Sequence, residues 1–293
     1  MESFSIVGSQ LLIGLSRSMI LFIVAAGLTV VLGVLRVINF AHGAMYMLGA
    51  FLAYSVVAWA GASHGGFWVA LLVAPLLVAL ISLLVERGLL RWVYHREHLV
   101  QLLLTYALVL IISDVIKILW GTGFKSIPIP GELAGSVQFM GGSLPVYNFL
   151  LVGAGPVVAV CLWYFFSRTR LGKMCRATAT DRETVDTLGI NSAWVFAVVF
   201  SLGGLLAGLG GALIAPTTNI VQGMDVAVVV KVFLIVVVGG LGNIWGALLA
   251  SLVFGVGESM GIMFWPRGAI VLPFLISALL LIVRPNGLLK SVW

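Results

Sequence analysis

The stretch RVINFAHGAMYMLGA, Arg36–Ala50, decides how this chain is to be read. It sets an arginine, an asparagine, a histidine and two glycines between two long apolar runs. Each flank continues for about the 20 positions that a membrane-spanning helix needs. Asn39 is a good helix N-cap and Gly43 relieves the backbone, so the run reads as one helix ending and another beginning. The N–H groups at the new start have no intrahelical partner and make a partly positive end. At depth in a bilayer, such an end suits a solute carboxylate or carbonyl. Arg36 favours the plainer alternative, a turn at the cytoplasmic surface. The expectation adopted lies between them: Asn39, Phe40, His42 and Gly43 line a translocation path or gate in its cytoplasmic half. A metal site is not expected, because one histidine without further ligands does not make one.

Composition fixes the class. The chain has 293 residues, 61% hydrophobic and 9% charged, with a mean hydropathy of +1.19. A soluble domain carries roughly 25% charged residues. The alternation that a membrane β-barrel requires is absent. The expected fold is therefore an all-α polytopic membrane protein, one transmembrane domain over 1–293. Apolar runs near 9–35, 43–60, 67–86, 99–120, 148–167, 193–215, 226–240, 243–262 and 269–283 predict a bundle of about eight or nine spans, some broken or re-entrant. The Gly- and Pro-rich segment 121–147 reads as an external loop.

Charge orients the bundle. Arg36, the cluster Arg87, Arg91 and Arg96, the cluster Arg168, Arg170, Lys173, Arg176 and Arg182, and Arg284 with Lys290 all fall on one side when spans alternate. Lys125 and Arg267 fall on the other. Short basic loops stay in the cytosol, so 168–192 is expected to be cytoplasmic and the N-terminus external. The net charge of +6 is accounted for by these loops and by lipid headgroups, not by nucleic acid. No cleavable signal peptide is expected, since a basic n-region is missing. Cys161 and Cys175 suggest neither a disulfide framework nor metal-ligand spacing.

The cytoplasmic loop RTRLGKMCRATATDRETVDTLGINSAW is the most informative polar segment. Ala177–Leu188 reads as one short surface helix, with Gly189 as its C-cap. The bland interpretation is a basic linker, and the functional one is a docking helix for a cytosolic partner. Glu183 and Gly189 stand six residues apart, a spacing similar to the EAA-type loop of ABC importer permeases, although Thr184 and Val185 replace the alanines. Together with GLTVVLGVLRVINFAHGAMYMLGAF, VVVGGLGNIWGALLASLVFG and RPNGLL, in the same order, this loop resembles the Liv-type permeases of branched-chain amino acid ABC importers, most of all their H-type subunit.

The resemblance implies a transport subunit of the bacterial inner membrane, forming half of a translocation path that works by alternating access. It implies a second related permease, two cytosolic ATPases that hold ATP and Mg, and a periplasmic solute-binding protein. It also implies that Arg176, Asp181, Arg182, Glu183, Gly189 and Asn191 couple the path to the ATPases. No G-x-x-x-x-G-K-[ST] occurs, so this chain is expected to bind no nucleotide of its own and to be no enzyme. Relatives that import urea, short amides or aromatic acids leave the solute open. The alternative class is a self-sufficient secondary transporter or channel, for which broken helices would also be natural.

A second break, GGLGNIWGALL, adds Gly240, Gly242 and Asn243 to the candidate path or gate. Ionisable groups inside spans are costly and therefore informative. Lys231 with Glu258 or Asp225 is a candidate vestibule pair. Asp114 and Lys117, one turn apart, can pair with each other. Arg17 is placed to face a partner helix or water. The small-xxx-small pairs Gly204/Gly208, Gly242/Gly246 and Gly257/Gly261 mark close helix packing, within the subunit or between permeases.

Overall fold

The computed structural model describes residues 2–61, 65–139, 142–269, 271–285 and 287–289; His64 and Lys290 lie outside them. Eleven α-helices occur among the described residues. In chain order they are α1 (Glu2–Leu35), α2 (Ala41–Ala60), α3 (Gly66–Gly88), α4 (His98–Trp120), α5 (Tyr147–Arg168), α6 (Arg170–Thr180), α7 (Arg182–Thr187), α8 (Ser192–Ile214), α9 (Met224–Gly239), α10 (Ile244–Phe264) and α11 (Leu272–Val283). The protein is thus an all-α polytopic membrane protein.

α1 is the spine, packed against α5, α8, α9 and α10. Its sequence explains that place. From Phe22 to Val31 the side chains are buried on every face, and a helix that is apolar all round belongs inside a bundle. The periphery differs. On α3, Leu72, Leu76, Leu80 and Leu84 recur every fourth residue and all are exposed. In water such a stripe would be an aggregation liability; here it is the face that lipid covers.

Among the described residues seven helices are long and apolar enough to cross a membrane: α1 to α5, α8 and α10. The runs near 226–240 and 269–283 form α9 and α11, of only 16 and 12 residues. At 1.5 Å per residue these reach about 24 and 18 Å, short of a bilayer core of about 30 Å. α9 begins inside the bundle, where Asp225 of its first turn is buried with its backbone against Gly43 of α2.

The close-packing glycines serve this one chain. A methyl group on Gly49 would meet the backbone of Gly208, and one on Gly246 would meet that of Gly239. Gly204 faces Ser82, while Gly257 and Gly261 face Ile276 and Leu272 of α11. The expectation that such pairs bring helices together therefore applies within the subunit.

Two ends of the bundle can be told apart. At one, Arg36 meets Ala179, Tyr94 stacks edge-on against Phe196, and the tail residue Leu288 donates to the Val238 carbonyl. At the other lies the 121–147 segment, which contains a small antiparallel hairpin, β1 (Ser136–Phe139) and β2 (Gly142–Pro145), with Val137 opposite Leu144. It is pinned by a bridge between Lys125 and Ile220 and by the Tyr147 hydroxyl, which donates to the Leu213 carbonyl at 2.7 Å.

Candidate gate and coupling site

The first helix break follows from local chemistry. α1 stops at Leu35, and Arg36 takes φ of 55°, a left-handed conformation that costs a non-glycine residue about 1–2 kcal/mol. Residues 36–39 are irregular, and α2 starts at Ala41. Phe40, not Asn39, holds the N-cap position and has no side-chain capping bond. Asn39 contributes from one residue further out, its Oδ1 accepting the Ala41 N–H at 3.1 Å. The expected Asn39 cap is thus displaced by one residue, yet it still satisfies an orphan donor.

His42 is fully enclosed. Its Nε2 lies 2.8 Å from the Val24 carbonyl, and because a carbonyl only accepts, Nε2 carries the hydrogen. The imidazole also packs on Gly27. Val24 lies eleven residues before the end of α1 at Leu35, about 16 Å along the axis. The break therefore folds back into the bundle, alongside α1, instead of turning at the tip of that helix. Asn39 and His42 are both 1% exposed.

The second break, between α9 and α10, is built differently. Gly240 and Gly242 adopt φ of 100° and 80°, which glycine does without strain. Asn243 is a full N-cap of α10, accepting the Gly246 N–H at 3.0 Å. The open carbonyls at the end of α9 are closed by the tail, Leu288 donating to Val238 at 2.7 Å and Leu289 to Gly239 at 3.3 Å. That contact gives the RPNGLL segment its structural role.

The two breaks lie side by side. A cavity of about 750 Å³ is lined by Arg36, Ile38 and Phe40 from the first and Leu241 from the second, with Phe233 and Val237 of α9. The Phe40 and Phe233 rings are 5.3 Å apart. Ile38, Phe40 and Leu241 are exposed apolar side chains at this mouth. Ile38 and Leu241 were not legible as site residues, because an apolar residue in an apolar chain carries no signal of its own.

The polar segment after α5 packs against α1, α5 and α8. The expected single helix Ala177–Leu188 is two, α6 and α7, separated at Asp181. Asp181 accepts the backbone N–H and the hydroxyl of Thr184, so a capping side chain starts a new helix where the composition suggested continuity. Gly189 takes φ of 80°, with its N–H bonded to Asp186 and that of Ile190 to Val185, which is a Schellman ending. Asn191 then caps α8 through the Trp194 N–H at 3.2 Å.

Arg182 and Asp186 fasten this segment to α8. Asp186 accepts the Ser192 N–H and hydroxyl, each at 3.0 Å. Arg182 donates to the Ser192 hydroxyl at 3.0 Å and lies over the Phe196 ring at 5.0 Å. These hydrogen bonds hold the Asp186 carboxyl below the usual carboxylate range, and those from Thr184 do the same for Asp181. Glu183 and Leu188 are left exposed. At its other end, α6 receives the Arg36 guanidinium on the Ala179 carbonyl at 3.1 Å. Arg176 lines a small cavity with Gly242 and Trp245 of the second break. One helix therefore holds the first break by a hydrogen bond and shares a small cavity with the second.

Comparison with known proteins bears on what such an arrangement serves. Residues 10–284 match the family described as branched-chain amino acid transport system / permease component. The chain belongs to this family. Among its relatives, the high-affinity branched-chain amino acid transport system permease protein BraD of Pseudomonas aeruginosa is 31% identical over 96% of this chain and 94% of its own. The permease protein LivH of Salmonella typhimurium is 26% identical over 98% and 97%. A probable branched-chain amino acid transport permease protein LivH of Methanocaldococcus jannaschii is 27% identical over 94% and 90%. No solved structure matches the chain. As a permease of this family, the protein is a transport subunit.

Lys231 pairs with both oxygens of Glu258, at 2.7 and 2.8 Å, whereas Asp225 sits under Gly43. The other ion pair among the described residues is Arg182–Asp186, at 3.7 Å; Asp114 and Lys117 form none.

Proposed function

We propose that this permease forms half of the translocation path of an ATP-driven ABC importer of branched-chain amino acids in the bacterial inner membrane. The other half is a second, related permease. Two cytosolic ATPases supply ATP and Mg chemistry, and a periplasmic binding protein delivers the solute. In this reading 168–192 is the cytoplasmic coupling segment, docked through its exposed α7 surface, and 121–147 faces outward. Asn39, Phe40, His42, Gly43, Gly240, Gly242 and Asn243 frame the inner gate.

The observation that carries the reading is the position of α6. It holds Arg36 of the first break through Ala179 and places Arg176 beside Gly242 of the second. A displacement of the docking surface by closing ATPases thus reaches both breaks at once, which is what alternating access asks of a coupling element. The substrate class comes from the relatives, whose names specify branched-chain amino acids.

The test is uptake of labelled L-leucine into vesicles that hold both permeases and the ATPases, with binding protein on the delivering side. Uptake that needs ATP and the binding protein is the expected result. Transport by the purified chain alone, driven by an ion gradient, would overturn the reading in favour of a secondary carrier.

A further inference from the structure

A cavity separate from the gate opens among α1, α2, the irregular segment after α8, α9 and α10. Its volume is about 390 Å³, within the range of small-molecule sites. Its lining interleaves two chemistries: aliphatic side chains, among them Leu21, Val24 and Val228, alternate along α1 and α9 with Arg17 and Lys231, the latter paired to Glu258 of α10. None of these three charges belongs to the gate or to the coupling segment.

The charges are arranged unusually. Arg17 lies within the apolar span Val7–Leu35 and forms no ion pair among the described residues. An arginine at such a position is costly unless an anion or water meets it. Glu258 is already shared with Lys231, so the cavity carries one more cation than anion. A carboxylate would relieve Arg17, and an ammonium could share Glu258 on the side away from Lys231. An aliphatic side chain would then fall against Leu21, Val24 and Val228.

We propose that this cavity is a solute-binding subsite within the permease, specific for a zwitterionic α-amino acid with an aliphatic side chain. Arg17 receives the carboxylate and Glu258, held in place by Lys231, receives the ammonium. Charge then alternates from Arg17 through the solute to Glu258 and Lys231, and each group is neutralised by its neighbours. The proposal rests on the importer reading above and adds that this chain itself discriminates the solute.

ATP-driven L-leucine uptake by the assembled importer tests it, with co-purification of all subunits as the control for folding. Arg17→Gln should lower uptake about tenfold or more, as loss of a charge-assisted bond to the solute implies, and Arg17→Lys should restore part of it. The decisive variant is the double swap Lys231→Glu with Glu258→Lys. It keeps the ion pair but puts a cation where the ammonium must sit, so uptake should stay about tenfold down in an assembled complex. A pair that is only structural predicts the reverse, and near-normal uptake in the swap, or in Arg17→Gln, overturns the subsite. No leucine uptake by the wild-type importer would instead overturn the functional reading on which the subsite rests.

Discussion

The Arg36 guanidinium donates to the Ala179 carbonyl at 3.1 Å across 143 positions of sequence. This bond joins the start of the first helix break to the end of α6. Arg36 holds it from a left-handed backbone conformation, φ 55°, which non-glycine residues occupy at a cost and keep when their surroundings impose it.

Backbone and side chain at this position can be separated. Arg36→Gly removes the left-handed penalty together with the guanidinium, whereas Arg36→Ala removes only the guanidinium. The glycine variant should therefore melt at a higher temperature than the alanine variant, by the equivalent of about 1 kcal/mol. Both should transport less solute per ATP hydrolysed, by about tenfold or more, since a charged hydrogen bond is worth about 1.5–3 kcal/mol. Parallel measurements of uptake and phosphate release in vesicles check this. Full coupling in both variants would show that the bond carries no movement.

The exposed α7 surface gives a second prediction. Glu183 is exposed and forms no side-chain hydrogen bond or ion pair among the described residues, so Glu183→Lys loses only a favourable charge in the first turn of α7, and thermal stability should stay within about 1 kcal/mol of wild type. Docking of the ATPases should nevertheless weaken, seen as loss of co-purification at moderate salt. Gly189→Ala acts by another route. It forces a side chain into φ 80° and should loosen the Schellman ending by about 1–2 kcal/mol, read as faster amide exchange at Ile190. Unchanged exchange there would mean that the turn tolerates the methyl group.

These residues also mark how far the sequence could be read. The spans were legible because apolar runs dominate the chain, and the two breaks because Asn39 and Asn243 interrupt them. The division of α6 from α7 was not read, although its signal was present: Asp181 followed three residues later by Thr184 is a cap, masked by a composition that continues the helix. The runs 226–240 and 269–283 read as spans because they are apolar, but an apolar run does not say whether its helix is long enough to cross: α9 is 16 residues and α11 only 12. The Arg36–Ala179 bond and the choice of Glu258 over Asp225 by Lys231 depend on helix packing, about which a single sequence says nothing. The burial of His42 against Val24 is of the same kind: the sequence offered a polar residue, and only the fold supplied its acceptor.

Acid should act on the coupling segment in a defined window. Asp181 and Asp186 both titrate below the ordinary carboxylate range, because hydrogen bonds from Thr184 and Ser192 favour the charged form. A depressed folded-state value means that the stabilisation is fully present above the unfolded pKa of about 3.9 and is lost as pH falls through the folded value. The α7–α8 junction should therefore be insensitive to pH from neutrality to about 5 and loosen only in stronger acid. Amide exchange at Thr184 and Ser192, followed against pH and corrected for intrinsic rates, reads this directly. Asp186→Asn should remove most of the acid sensitivity at Ser192, and an unchanged profile would assign it to other groups.

Accessibility of the first break tests the gate. Single cysteines at Asn39 and His42 should react slowly with a membrane-impermeant thiol reagent, because both sites are enclosed. Those at Ile38 and Leu241 should react quickly, because both are exposed in the shared cavity. The native thiols allow the experiment. Cys175 is buried, with its pKa pushed up to about 11, so it is almost wholly protonated and inert near pH 7.5. Cys161 is exposed and is replaced by serine. If the breaks form the inner gate, nucleotide binding by the ATPases should change labelling at Ile38 and Leu241 together, since α6 is bonded to the first break and borders a cavity with the second. A change at one position without the other would separate the breaks into independent elements. Rates unaffected by nucleotide at all four positions would leave Asn39 and His42 as the interior of a fixed turn.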